Sequence, residues 1–185
     1  MVHTTYFIRF DKTKILERHL LKDGAWHFRS GFEAPLTTSG SKVYLFANKD
    51  EIFYVGKTSQ KSVTSRFVSA FKASREQRIS GFKGYEFKNH HTDSLLHVFT
   101  STDWNKSGPK KGTAHWVDDA ELIEAEVCYL IRRKTGQWPK YQNEIHFGRF
   151  KEEHLRAAQQ IVTAIRKRNT FLPKSPIPSN GLPIR

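Results

Sequence analysis

Two short apolar and aromatic runs, separated by a polar turn, most constrain how this chain can fold. The runs are Val43–Phe46 and Ile52–Val55, and the turn between them contains Asn48–Glu51. Runs rich in β-branched and aromatic residues on either side of a short turn that carries Asn and Asp are typical of a β-hairpin. The sequence therefore predicts a hairpin over residues 42–58, whose second strand ends in a Gly-Lys-Thr sequence.

The charge of the chain narrows the class of its partner. Of the 185 residues, 31 are Lys or Arg and 18 are Asp or Glu, which gives a formal net charge of +13. Such an excess favours a polyanionic partner, with nucleic acid as the first candidate and an anionic membrane surface as the second. A membrane surface requires a basic amphipathic helix with bulky apolar residues, and no segment fits that description well. The remaining alternative is a basic soluble protein that binds no polyanion.

Several features of the composition indicate where the protein works. Hydrophobic residues make up 37% of the chain, which is enough for a globular core. No apolar run approaches the roughly 20 residues of a bilayer-spanning helix, and the first residues lack the long apolar stretch of a secretory signal. The single cysteine, Cys128, cannot form an internal disulfide, which fits a reducing compartment. We therefore expect a cytoplasmic protein.

The first part of the chain, residues 1–40, is expected to be an N-terminal extension of the main domain. A short strand is predicted over residues 6–10, and Asp11 is a candidate cap for a helix over residues 14–21. A stretch of small polar residues, 37–41, then joins this extension to the hairpin.

The central part, residues 41–147, carries the other predicted elements of the main domain. A helix follows the hairpin, with its apolar residues at helical spacing. The nearly continuous apolar run 95–100 is predicted to be a buried third strand. Asp118 is predicted to cap a further helix, which Gly136 ends.

The last part, residues 148–185, is predicted to contain one helix and a proline-rich tail. The helix is expected over residues 151–167, because apolar residues recur there at the spacing of one helical face. The residues of this stripe are Leu155, Ala158, Ile161, Val162 and Ile165.

Each predicted strand of the hairpin carries one tyrosine, Tyr44 and Tyr54. A lone tyrosine on a strand is most often a core residue. This pair lies an even ten positions apart, so the two side chains can share a face and bring their hydroxyls together at one edge. A phenol has a pKa of about 10, so it needs a nearby positive charge to act as a base near neutrality. Lys57 and a bound metal ion are expected to supply that charge.

The hairpin and the residues that follow it resemble the GIY-YIG nuclease family. Lys42 stands where the first motif of the family usually starts with glycine, whereas the second motif is a close match. The resemblance covers roughly residues 42–147. It is carried by five ordered elements: Lys42-Val43-Tyr44, Tyr54-Val55-Gly56 with Lys57, then Arg66, Glu126 and Asn143.

The resemblance implies a role for each of these residues. Glu126 is expected to bind one Mg²⁺ or Mn²⁺ ion per active site, and Tyr44 helps to deprotonate or position the attacking water. Arg66 is expected to stabilise the charge that develops on the scissile phosphate. The residues with a supporting role are Tyr54, Lys57 and Asn143.

Two residue assignments in the implied site are left undecided by the sequence. Glu124 competes with Glu126, because both carboxylates lie on a strongly apolar helix where an unpaired charge is costly. Glu126 precedes a Tyr-Leu pair that matches the family better, and a structural ion pair is the alternative role for such a glutamate. Ala70 stands where the family has His or Tyr, one turn after the arginine. The candidates to replace that residue are Tyr85, His90 and His91.

The resemblance implies an α/β (α+β) fold with a central three-stranded antiparallel sheet flanked by helices, and a metal-dependent endonuclease that acts on double-stranded DNA. The flanks leave no room for a large separate DNA-binding region, so the chain looks like the restriction endonucleases of this fold. A homodimer would suit a palindromic site. The alternatives are a standalone repair or defence nuclease of the family and an inactive DNA-binding module, which Lys42 and Ala70 support.

Overall fold

A computed structural model describes residues 1–11, 14–59, 61–67, 86, 93–105, 118–142, 145–148 and 150–168. Its centre is an antiparallel sheet of six strands. In chain order the strands are β1 (Val2–Phe10), β2 (Ile15–Lys22), β3 (Ala25–Phe28), β4 (Lys42–Ala47), β5 (Ile52–Thr58) and β6 (Asp93–Thr100). In space their order is β3-β2-β1-β6-β4-β5.

The predicted hairpin is present as β4 and β5. Its turn closes where the backbone N–H of Asn48 donates to the carbonyl oxygen of Glu51 at 3.0 Å. The side-chain oxygen of Asn48 also accepts from the N–H groups of Asp50 and Glu51, each at 2.8 Å. Asparagine favours turns because it can bind the backbone in this way, and the prediction of a hairpin is confirmed.

Strand β6 joins the two halves of the sheet. It pairs with β1 along one edge, from Thr100 opposite Val2 to Asp93 opposite Arg9, and with β4 along the other. The predicted third strand is therefore confirmed. The expected three-stranded sheet is not, because the N-terminal strands extend it through β1 to six strands.

The predicted helix over residues 14–21 is wrong, since these residues form β2. Asp11 uses its side chain for a tight turn instead of a helix cap. Its carboxylate accepts from the backbone N–H of Lys14 at 2.8 Å, and its own N–H donates to the Lys14 carbonyl at 3.0 Å. The turn sends the chain back beside β1, and backbone pairing with β1 and β3 overrides the helical preference of the sequence.

Helices cover both faces of the sheet. Helix α1, described over residues 63–67, packs on one face with Tyr44, Phe46 and Tyr54. Helices α2 (Asp119–Thr135) and α3 (Glu152–Arg168) pack on the other face against Val43 and Leu45. The division follows from the strand geometry, in which successive side chains point to opposite faces. No helix within the described residues is long and apolar enough to cross a membrane.

The boundaries of α2 and α3 agree with the sequence. Asp118 caps α2 by accepting from the N–H of Glu121 at 2.9 Å. Gly136 ends the helix in a left-handed conformation, and its N–H donates to the carbonyl of Arg132 at 2.8 Å. Helix α3 lies within one residue, at each end, of the predicted range 151–167.

Gly56 leaves room for the two tyrosines of the hairpin. A Cβ atom at this position would lie 2.6 Å from Cζ of Tyr44, 2.8 Å from its hydroxyl oxygen and 2.9 Å from Cε1 of Tyr54. Both rings are buried, so neither can move aside freely. The need for glycine at this position comes from space between side chains rather than from an unusual backbone conformation.

We expect Gly56→Ala to lower the free energy of unfolding by about 2–3 kcal/mol, because the added methyl group forces two packed rings apart. Urea denaturation followed by circular dichroism measures this change. Gly31→Ala is the matched control, since nothing lies within 4 Å of a Cβ at Gly31. Equal stability changes in the two variants would contradict this account of the packing.

Candidate active site

Tyr44 and Tyr54 share the face of the hairpin that α1 covers. Their ring centroids are 6.1 Å apart, so the shared face expected from the spacing is present. Tyr44 is fully buried and Tyr54 is only 5% exposed. Both rings are therefore part of the core at the same time as they are candidates for chemistry.

Arg66 lies on the same side of the sheet as the two tyrosines. It belongs to α1, where the neighbouring Phe67 contacts the Tyr44 ring edge to face, with centroids 6.4 Å apart. The Arg66 side chain is half-buried. The structure thus places Tyr44 and Tyr54 on one face and Arg66 on the helix that covers this face.

Lys57 leaves the opposite face of β5, where it lies across from Val43. Its ammonium nitrogen is 3.2 Å from a carboxylate oxygen of Asp118 and 3.1 Å from one of Glu121. Burial lowers the pKa of Lys57, but the two carboxylates outweigh it, so that the pKa is raised. Its charge is balanced by these carboxylates, so Lys57 does not serve as the positive charge expected beside the tyrosine hydroxyls.

Asp118 and Glu121 bind the ammonium of Lys57, and Glu124 interacts with its charge from further along α2. We call these three residues the carboxylate cluster. Burial raises the pKa of Glu124 to about 8; the charge of Lys57 opposes the shift, and those of Glu121 and Asp118 add to it. The Glu124 carboxyl therefore carries a proton at neutral pH. A buried acid beside other acids and a lysine is the kind of group found at functional sites.

Gln142 connects this cluster to the outer edge of the sheet. Its amide nitrogen makes a long hydrogen bond of 3.5 Å to Glu124, and its side-chain oxygen accepts from the N–H of Val55 at 3.2 Å. One residue earlier, the N–H of Tyr141 donates to the carbonyl of Phe53 at 2.9 Å. The chain after α2 therefore runs along β5 and makes hydrogen bonds with backbone groups at its outer edge.

Glu126 lies outside the carboxylate cluster. Burial raises its pKa and the charge of Arg133 lowers it, whereas Glu124 is influenced by Lys57 and Glu121. Between these two glutamates, the structure brings Glu124 to Lys57. The metal-binding role of Glu126 stays a prediction, and Glu124 stays its alternative.

Some predicted residues lie outside the described part of the chain. Asn143 is one of them, and Ala70 is another. The same holds for the residues proposed to replace the missing His or Tyr, which are Tyr85, His90 and His91.

Lys42, which replaces the first glycine of the family motif, has a structural role. Its side chain is 2% exposed, and burial lowers its pKa. The ammonium donates to the carbonyl oxygens of Thr38 and Ser39, each at 2.9 Å, and of Gly40 at 3.0 Å. The lysine thus fixes the connection between the N-terminal strands and the hairpin.

Sequence reasoning missed the roles of Glu121, Gln142 and His146. His146 donates from Nδ1 to a carboxylate oxygen of Glu121 at 2.6 Å, and Glu121 also binds Lys57. A signal was available for part of this group, since Asp118, Glu121 and Glu124 recur every three residues and so share one side of a helix. No local pattern indicates that Gln142 and His146 return to that side.

The Mg²⁺ or Mn²⁺ ion that the family resemblance implies would need oxygen donors. Such an ion keeps several water ligands and is usually held by one or two carboxylates together with substrate phosphate oxygens. Glu124 and Asp118 are the candidate oxygen donors, and both oxygens of Asp118 already accept hydrogen bonds, from Glu121, Lys57 and Ser59. Within the described part of the chain, no group of three or more His, Cys, Asp or Glu side chains could hold a metal ion.

The candidate site is defined by residue geometry. No protein-family model matches the chain, and no curated protein or solved structure matches it. The resemblance to GIY-YIG nucleases therefore stays a prediction that rests on the motifs in the sequence.

We expect the stability of the protein to fall as the pH rises from about 4.5 to about 8, because the unfolded chain has then lost a proton that Glu124 of the folded protein still holds. The folded state binds this proton more tightly than the unfolded chain, where the pKa is about 4.5. The stabilising contribution is complete below that pH and is lost above the folded pKa. Glu124→Gln keeps a neutral side chain, so it should be about 2 kcal/mol more stable than wild type near pH 9 and no more stable near pH 4.5.

Urea unfolding at several pH values between these limits tests the expectation. Glu126→Gln is the matched control, since it makes the same chemical change two residues further along α2, outside the carboxylate cluster. Glu126→Gln should alter the pH dependence of stability less than Glu124→Gln does. A stability difference between Glu124→Gln and wild type that does not vary with pH would show that Glu124 titrates normally.

Proposed function

We propose that the protein is a metal-dependent endonuclease that hydrolyses phosphodiester bonds in DNA. The observation that carries the proposal is the packing of Tyr44 and Tyr54 over Gly56 in the β4–β5 hairpin, with α1 and Arg66 on the same face. It is the arrangement that the resemblance to GIY-YIG nucleases implies. The net charge of +13 supports a nucleic-acid substrate.

In this proposal the carboxylate cluster forms the metal-binding part of the site. Glu124 and Asp118 hold the ion, which supplies Lewis-acid stabilisation of charge on the phosphate. Lys57, whose side chain is 24% exposed, contacts a phosphate oxygen beside the cluster in this proposal.

The tyrosine face orients the substrate. Tyr54 is the more accessible of the two tyrosines, and the buried Tyr44 fixes the position of its ring. Arg66 offers a planar guanidinium that matches two phosphate oxygens and stabilises the charge of the transition state. The water that attacks the phosphate would be positioned by a tyrosine hydroxyl, as the motifs suggest.

The finer hypothesis within this proposal is a restriction endonuclease of the cytoplasm that cuts double-stranded DNA at a specific site as a homodimer. A standalone repair or defence nuclease is the alternative within the same family. An inactive DNA-binding module is a second candidate function, favoured by the complete burial of Tyr44 and by the neutralisation of Lys57 by two carboxylates.

A cleavage assay on mixed phage and plasmid DNA with Mg²⁺ tests the proposal. We expect Glu124→Gln to reduce the rate by at least about 100-fold, because it removes a carboxylate that holds the ion. Glu126→Gln should stay within about threefold of wild type. EDTA should abolish cleavage by every variant.

Each result of this assay separates the hypotheses. Cleavage at the wild-type rate by Glu124→Gln would exclude Glu124 as a metal ligand. A loss of cleavage confined to Glu126→Gln would instead assign the metal-binding role to Glu126. Discrete metal-dependent bands indicate a site-specific enzyme, whereas smearing indicates a non-specific or structure-directed one. Intact DNA with both Mg²⁺ and Mn²⁺ would support the inactive DNA-binding module.

A further inference from the structure

An exposed phenylalanine lies on the chain that follows α2. The side chain of Phe147 is 53% exposed. Its ring centroid is 6.1 Å from that of Trp138 and 6.2 Å from that of Phe150, and both of these rings are half-buried. The three rings form a row whose most exposed member is Phe147.

The two residues before Phe147 are anchored to the body of the protein. Ile145 packs against the core formed by α2, α3 and the sheet. His146 donates to Glu121 at 2.6 Å. The ring of Phe147 is therefore presented by a fixed segment, and its exposure does not come from a loose end.

Cations border the row of rings. The guanidinium carbon of Arg132 lies 4.6 Å from the centroid of Trp138. Lys134, Trp138 and Lys140 also line a cleft of about 530 Å³, together with Arg166 of α3; Asp50 and Glu51 of the hairpin turn line it as well. Basic residues in the last turn of a helix also complement its dipole, but the dipole gives no reason for an exposed phenyl ring beside them.

We infer that this aromatic-basic surface, made of Arg132, Lys134, Trp138, Lys140 and Phe147, binds a nucleic-acid strand with at least one unstacked base. The base stacks on Phe147, and the lysines and arginine contact the phosphates on either side. A ring surface of this kind accepts any base, because every base has a π face. The positive charge of these residues suits a polyanion better than an apolar partner.

The inference rests on the proposed endonuclease activity and specifies its substrate further. His146 binds Glu121 of the carboxylate cluster, and Phe147 is the next residue. A base held on Phe147 is therefore bound by the residue next to one that contacts the carboxylate cluster. The substrate class becomes DNA that is locally unpaired at the cut, such as a flap, a bubble or a base turned out of the duplex.

Fluorescence anisotropy with a labelled 20-nucleotide oligo(dT) tests the surface in EDTA, where no cleavage occurs. We expect Phe147→Ala to weaken binding by about tenfold or more, which is the usual effect of losing one base-stacking ring. Phe28→Ala is the matched control, because Phe28 on β3 is 58% exposed and lies outside the surface. It should change binding less than about twofold.

The same assay at several salt concentrations tests the role of the lysines. The double variant Lys134→Gln/Lys140→Gln should reduce the slope of log K against log salt by about 1.4, since each phosphate contact on a single strand contributes about 0.7. Arg156→Gln on α3 is the control, because its exposed guanidinium is already paired with Glu152. Thermal unfolding of every variant confirms that it is folded.

The possible results keep this inference separate from the endonuclease. Weak binding by Phe147→Ala alone, with no cleavage under any condition, would support the surface and overturn the endonuclease. DNA cleavage combined with wild-type binding by Phe147→Ala would support the endonuclease and overturn the surface. The surface is also overturned if Phe28→Ala loses as much affinity as Phe147→Ala, or if the wild-type protein binds duplex DNA but not oligo(dT).

Discussion

Strand β6 is hydrogen-bonded along both of its edges, and the sheet depends on these two sets of bonds. On one side it holds β1 with the N-terminal strands, and on the other it holds β4 with the hairpin. Its side chains alternate between the two faces, with Leu96 and Val98 in the core under α1 and Phe99 in the core under α2. The nearly continuous apolar sequence of this strand follows from burial on both faces. The tyrosine pair and Lys57 keep their positions because β4 is fixed in this way.

The hairpin divides the candidate residues between two faces of the sheet. Tyr44 and Tyr54 lie in the apolar core on one side, whereas Lys57 faces the carboxylate cluster on the other. Crowding three acids that are at least half-buried beside one lysine is costly, and the raised pKa of Glu124 indicates that one of them stays neutral.

The parts of the fold that local chemistry decides could be predicted from the sequence. Asp118 and Gly136 marked the ends of α2 because capping uses only nearby backbone groups. Residues 15–22 could not be assigned, since their helical preference is overridden by pairing with β1 and β3. The choice between Glu124 and Glu126 had the same difficulty, because it depends on contacts that form only when α2 packs on the sheet.

The carboxamide of Gln142 has two partners that belong to different parts of the molecule. Through one hydrogen bond it contacts Glu124, and through the other it contacts the backbone of β5 at Val55. The residue before Val55 is Tyr54, whose side chain lies on the opposite face. A single side chain therefore connects Glu124 to the strand that carries Tyr54. Gln142 thus joins the carboxylate cluster to the strand that separates the acidic face from the aromatic one.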